Sequence, residues 1–362
     1  MNVNSSRRRA VLLLAVPVLA ACLAFRSRSA APAAALSEAA PMAAVALAET
    51  APVAAVAPEP SRIVVLALTS RVFGNTRSIR VYLPPDYFSA ASSRRRYPVF
   101  YFNDGFAVFS ARLWNAPSIA DSLIASGRVA PAILVGIDNA ASIPGVTSPE
   151  RARADEYLPY PDPSEPDLPH PHGEMYPGFV VDEVMPLVAS TFRTQTGAAN
   201  TGIGGASYGG IAALTAVLRK PGVFGALLLE STPLFLFDER LLADSRKLAA
   251  WPKTVYIGLG TREADDPALN ERGKRTIDAF AAIVRRRSPV TLLQLNVVEG
   301  ATHGSSAWRA RLPAALAFVL PPPAPKSPPW AAGAGGAGRA GTTLRGSSPP
   351  PAAPFAGRPG GA

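Results

Sequence analysis

The sequence predicts an α/β domain with a mostly parallel, eight-stranded sheet flanked by helices. Three observations carry that prediction. Short apolar runs rich in β-branched residues alternate with longer helical stretches between residues 62 and 320. Most of those runs are apolar throughout, as strands covered on both faces must be. A glycine-rich stretch, GIGGASYGGI at 202–211, joins one such run to a helix-like one, with a single serine at the junction.

Taken in order, RIVVLALTSRV (62–72) and TRSIRVYL (76–83), separated by Phe73-Gly74-Asn75, read as an antiparallel hairpin. The following strands are YPVFYFNDG (97–105), AILVGIDNA (132–140), NTGIGGAS (200–207), FGALLLE (224–230), TVYIGLG (254–260) and VTLLQLNVVEG (290–300). Helices are expected near 113–126, 178–193, 208–219, 268–287 and 305–320. Asp104-Gly105, Gly197, Pro221-Gly222 and Pro252 punctuate them. The stretch 141–177, rich in Pro, Asp, Glu and Tyr, reads as a long loop acting as a lid or substrate wall.

Outside 62–320 the composition changes. Residues 30–61 are almost all Ala, Pro, Val and Glu, and 321–362 are Pro, Gly, Ala and Ser, so neither segment can bury enough apolar surface to offset its ordering entropy. They are expected to be a linker and a tail around one domain. Segment 1–29 reads as a targeting sequence: Arg7-Arg8-Arg9 precede a 16-residue apolar run, short for a membrane span and suited to export to a periplasmic or extracellular space. The only cysteine, Cys22, sits in Leu19-Ala20-Ala21-Cys22, a lipobox-like setting. Lipidation at Cys22, plain cleavage and organelle targeting all remain open. The net charge of +10 divides unevenly, since 62–320 holds 27 basic and 23 acidic residues. Nucleic acid is therefore not an expected partner, and a membrane is expected only through a lipid anchor. The arginine triplets at 94–96 and 285–287 read as solvated charges.

Gly205-Ala206-Ser207-Tyr208-Gly209 matches G-x-S-x-G, the turn that exposes a serine between a strand and a helix. Ser207 is the expected nucleophile, with the Tyr208 N–H facing the developing oxyanion. A serine needs a base, and the chain has three histidines. His170 and His172 lie upstream in a Pro-rich loop and show no metal-ligand cluster. His303 alone follows the serine, after the last strand, and is the expected base. The acid should follow TVYIGLG, where Glu263 is preferred. Asp265, Asp266 and, more distantly, Glu230 stay open. A second oxyanion donor is expected from the Phe106 N–H, after Asp104-Gly105. Arg151 and Arg153 could meet an acidic or catecholate-like substrate, and Tyr157 or Tyr160 could stack on one. Pairing of those arginines with the loop's own carboxylates is the competing reading. Trp308 lines the pocket or packs under helix 305–320, and packing is preferred.

RVYLPPDY, RRYPVFYFNDG, ILVGIDN, GIGGASYGGIAAL, YIGLGTREADD and EGATHGSSAWRARLPAAL, in that order, resemble the esterase D/enterochelin-esterase family of α/β-hydrolases. The resemblance spans about 62–320. It implies hydrolysis of carboxylic esters through Ser207 and His303, with no cofactor or metal. The same family includes siderophore, feruloyl and acetyl-xylan esterases, S-formylglutathione hydrolases and mycolyl transferases. The expected substrate is thus a small-molecule, carbohydrate or siderophore ester. An acyltransferase, or a non-catalytic siderophore- or sugar-binding protein on the same fold, are the alternatives. Glu263 stands where that family commonly has aspartate.

Overall fold

The computed structural model describes residues 59–142 and 147–323. The targeting segment with Cys22, nearly all of the Ala/Pro-rich linker and nearly all of the C-terminal tail lie outside the described residues.

Strands β1 (Arg62–Thr69) and β2 (Thr76–Leu83) form the expected hairpin, paired antiparallel from Arg62↔Leu83 to Thr69↔Thr76. β1 stops at Thr69 because Ser70 and Asn75 close the turn, with Ser70 N–H donating to Asn75 O at 2.8 Å. β3 (Val99–Asn103) passes through a left-handed Asp104 into the short helix α1 (Gly105–Phe109). Helix α2 (Ala116–Ala125) and β4 (Ile133–Ile137) follow. Helix α3 (Pro149–Tyr157) comes next, then α4 (Tyr176–Phe179) and α5 (Met185–Thr191), joined by one wide turn at Val180–Val184. The rest alternates: β5 (Thr201–Ala206), α6 (Tyr208–Arg219), β6 (Ala226–Glu230), α7 (Arg240–Ser245). β7 (Thr254–Arg262), α8 (Pro267–Arg287), β8 (Leu292–Thr302) and α9 (Ser305–Val319) complete the domain.

The eight strands form one sheet in the order β1-β2-β4-β3-β5-β6-β7-β8. β2 runs antiparallel to both neighbours, and every pairing from β4–β3 to β7–β8 is parallel. Successive strand side chains point to opposite faces. Tyr101 and Ile203 accordingly join one core, under α4 to α8, while Phe100 and Phe102 join the other, with Trp114 and Leu316 beneath α2 and α9. Fully burying one such side chain is worth about 1.5–3 kcal/mol, so the continuous apolar runs are what commit these segments to the sheet's interior. Because the six strands β4, β3, β5, β6, β7 and β8 run the same way, their C-terminal ends share one edge. Ligands of open parallel sheets gather at that edge.

The expectation of an unstructured 141–177 is corrected by α3. Its sequence, PERARADEY, has no apolar stripe, and it is held by polar contacts instead. Glu156 pairs with Arg77, both buried, and also accepts the Ala140 N–H at 2.7 Å. Arg153 clasps Asp104 through two bonds of 2.8 Å. A helix fixed this way leaves little period in its sequence.

Candidate active site

β5 ends at Ala206, and Ser207 caps α6 with φ 54° and ψ −129°. A non-glycine residue there is strained by about 1–3 kcal/mol, held by what surrounds it. The Ser207 N–H donates to Glu230 O at 2.9 Å, and Ser207 O accepts from Gly210 and Ile211 N–H, so the backbone is clamped on both sides. The flanking glycines permit close approach. A Cβ on Gly205 would stand 2.6 Å from the Gly209 carbonyl group, and one on Gly209 would stand 2.7 Å from Asp104 Oδ2. The result is a half-buried hydroxyl presented at the strand-to-helix turn.

His303 follows β8 and presents Nδ1 to Glu263 Oε2 at 2.8 Å. Glu263 follows β7 and is further held at Oε1 by the Ser231 hydroxyl at 2.7 Å and the Gly260 N–H at 2.5 Å. Burial pushes the Glu263 carboxyl up, but the bonds from His303, Ser231 and Gly260 outweigh it and hold it below its usual range. An ionised acceptor at Nδ1 puts the ring proton there and leaves the Nε2 lone pair free to take a proton. Among the described residues, neither the Ser207 hydroxyl nor Nε2 makes a hydrogen bond. Such contacts commonly tighten only when substrate is bound.

The other carboxylates have different work. Asp266 caps α8 by accepting the Ala268 N–H at 2.9 Å, and Asp265 is exposed without a bonded partner among the described residues. Glu230 is fully buried and bonded to Arg311 at 2.8 Å. Burial pushes its carboxyl up to about 7, against the pull of Arg311.

Ser231 carried no signal in the sequence, yet it ties these groups together. Its φ of 45° places it in the left-handed region. It accepts from Trp308 Nε1 at 2.8 Å and from Arg311 Nη2 at 3.2 Å. A hydroxyl has two lone pairs and one hydrogen. With both lone pairs taken, the hydrogen is left for Glu263. Trp308 thus packs as preferred, edge-on to His303 with ring centres 5.1 Å apart and against Trp114 at 5.6 Å.

The remaining expectations divide. The Tyr208 N–H heads α6, one of the helix-start amides without an intrahelical partner. The Phe106 N–H lies near the carboxylate of Asp138, which Arg80 clasps through two bonds of 2.8 Å, and makes no hydrogen bond among the described residues. Tyr157 is corrected from a stacking surface to a core residue: it is fully buried, its hydroxyl accepts the Asp104 N–H, and its ring lies edge-on to Tyr176. Tyr160 is buried and bonded to Asp244. Arg153 pairs with Asp104 below the elbow and lies 3.4 Å from Ala206 O. Arg151 is exposed on the first turns of α3, with no ion pair among the described residues. His172 bonds Asp155 at 2.9 Å.

Comparison with known proteins identifies the family and the fold. The family model described as "Putative esterase" matches residues 70–319. The uncharacterized protein YbbA of Bacillus subtilis is 24% identical over 242 residues, covering 66% of this chain and 89% of YbbA. An endo-1,4-beta-xylanase/feruloyl esterase of Xylanibacter ruminicola is 25% identical over 248 residues, 65% of this chain but only 28% of that protein. The iron(III) enterobactin esterase of Dickeya dadantii is 29% identical over 150 residues, 37% of this chain and 32% of that one. Among solved structures, the siderophore hydrolase EstB of Aspergillus nidulans shares the fold with a TM-score of 0.57 at 19% identity, over 76% of this chain and all of that one. An IroE-like serine hydrolase of Shewanella oneidensis does so at 0.56 and 22%, over 71% and 79%. With the family model covering most of the described domain, the chain belongs to this esterase family, carboxylic-ester hydrolases built on the α/β-hydrolase fold.

Proposed function

We propose that the protein is an exported serine esterase that works through an acyl-enzyme on Ser207. The carrying observation is the strained Ser207 at the end of β5, on the same sheet edge as a His303 ring oriented by Glu263. Ser207 Oγ attacks the ester carbonyl while His303 Nε2 takes its proton. The tetrahedral oxyanion forms against the Tyr208 N–H, a kind of contact worth about 3 kcal/mol per donor. His303 then returns the proton to the departing alkoxide, and the alcohol leaves. Water, deprotonated by the same ring, attacks the acyl-enzyme and releases the carboxylic acid. Glu263 keeps Nδ1 protonated and stabilises the imidazolium without taking the proton.

The substrate class is a small-molecule ester, and the matches to feruloyl and siderophore esterases support aromatic or siderophore esters within it. Arg151 stays available to an acidic group of such a substrate. Export is supported by Arg7-Arg8-Arg9 ahead of the apolar run, and attachment at Cys22 by Leu19-Ala20-Ala21-Cys22. The intact mass of the mature protein reads that attachment directly.

A nitrophenyl ester series, assayed with the purified protein and with Ser207→Ala, tests the mechanism. Hydrolysis should fall by a factor of about a thousand or more in the variant. Equal turnover by both proteins would remove Ser207 from the chemistry. An added alcohol acceptor, with product analysis, separates hydrolysis from acyl transfer.

A further inference from the structure

We propose that the end of the domain at which the parallel strands begin is a docking face for a lipid bilayer containing anionic headgroups. Docking there turns the Ser207 edge away from the bilayer. The registers Val99↔Thr201, Gly202↔Ala226, Ala226↔Thr254 and Thr254↔Leu292 align the starts of β3, β5, β6, β7 and β8 along one edge. Arg94–Arg96 immediately precede β3, and Arg193 is tied to them, since its backbone O accepts the Tyr97 N–H and its side chain bonds Arg95 O. Lys253 immediately precedes β7, and its backbone O accepts the Leu292 N–H. Arg285–Arg287 close α8 beside it. From β3 to β8 is four strand spacings, a cationic band about 19 Å long.

These cations have no carboxylate partners among the described residues. Arg96, Arg193 and Arg287 bond backbone carbonyls, Arg95 lies over the Tyr97 ring, and Arg94, Lys253, Arg285 and Arg286 bond nothing described. Nearby acids are committed elsewhere: Asp182 pairs with Lys220 at 3.1 Å, and Asp86 accepts the Glu59 N–H. Helix ends explain only part of the charge. α2, α5, α6, α7, α8 and α9 all end on this side, and each C-terminus is equivalent to about half a negative charge. Roughly three charges cannot neutralise the whole band.

The chain itself favours a bilayer over another polyanion. Arg62 pairs with Leu83 at this end, so the segment preceding β1 leaves here, and that segment carries Cys22, the position of the lipid attachment proposed above. The C-terminal side leaves here too, with Pro321 O accepting the Ala130 N–H ahead of β4, and 321–362 contains four basic residues and no acidic one. Clustered cations near a bilayer are the signature of anionic-lipid binding.

The test is sedimentation of the full chain with vesicles of pure phosphatidylcholine, and with vesicles of equal parts phosphatidylcholine and phosphatidylglycerol. The neutral vesicles read the N-terminal segment alone; the difference between the two reads the face. We expect preference for the anionic vesicles, weakening as salt is added. The combined variant Arg94→Ser/Arg95→Ser/Arg285→Ser/Arg286→Ser should lose that preference by about a hundredfold or more, with turnover of a soluble nitrophenyl ester unchanged. Unchanged turnover also shows that the variant folds. Equal partition of the wild type to both vesicles, an anionic preference retained by the variant, or a short DNA duplex displacing the protein from vesicles at low concentration would each overturn the assignment.

Discussion

Ser231 shows how much of this site lies one contact behind the reacting groups. Its hydroxyl is spoken for at every position, so Glu263 receives a donor whose direction is fixed by Trp308 and Arg311. Ser231→Ala should lower kcat by about tenfold, the worth of one hydrogen bond to a carboxylate, with KM unchanged. Steady-state kinetics on a nitrophenyl ester makes that separation. Arg311 holds a second stake, because its loss strands a buried Glu230 carboxylate. Arg311→Leu should cost about 3–5 kcal/mol in urea unfolding, and adding Glu230→Leu should restore most of it. The strained turn at Ser207 was legible from its motif, and the contact between Glu263 and His303 from their places after β7 and β8. Ser231 and Arg311 were not, because a serine or arginine declares such a role only through neighbours distant in sequence. The Asp138 carboxylate beside the Phe106 amide was hidden for the same reason, since it comes from the end of β4.

Among the elements, β3 to β6 were visible because a strand buried on both faces must be apolar along its whole length, while the more exposed edge strands β1 and β8 were visible through their β-branched and apolar runs. The long helices α6, α8 and α9 were visible for a related reason, each needing an apolar side toward the sheet. α3 was hidden. Its buried positions are Ala154, Glu156 and Tyr157, and two arginine–carboxylate pairs do what a hydrophobic stripe does elsewhere. α3 should therefore depend on those pairs to an unusual degree. Arg153→Met removes both bonds to Asp104 and should speed amide hydrogen exchange across 149–157 while the exchange of β5 and β6 stays slow. Uniform acceleration would mean that the whole fold, not α3, had been weakened. Asp104 also abuts Gly209, so the same substitution reaches the elbow and should lower ester hydrolysis together with the exchange protection.

At the scale of the molecule, the buried carboxylates set opposing pH dependences. Glu156 and Glu230 are both pushed by burial up to about 7, from an ordinary value of 4.5. Between those two values the folded chain binds more protons than the unfolded one, so stability falls as pH rises through that window. Glu263 acts the other way. Its carboxyl is held below 4.5, so its contribution is present above that value and is lost as pH falls through the folded pKa. The urea midpoint should therefore be highest in mildly acidic solution, and lower both near neutrality and in strong acid. A midpoint that rose steadily toward neutral pH would mean that Arg77 and Arg311 keep both buried glutamates fully ionised.

Both ends of the described domain are fastened beside one helix. The Ser61 hydroxyl bonds Asp121 within α2, and Pro321 O takes the Ala130 N–H just beyond it. The fold is thus close to a closed loop of chain, in which the starting point is a matter of history rather than of architecture. A short linker from Pro321 back to Ser61 would let the gene be opened elsewhere, for instance at the solvent-facing Gly74 turn between β1 and β2. New termini there would leave the order of strands and the spacing of Ser207, Glu263 and His303 in space as they are. Ser207, which now precedes Glu263 and His303 in the chain, would keep that order, while the hairpin's first strand would become the last element synthesised.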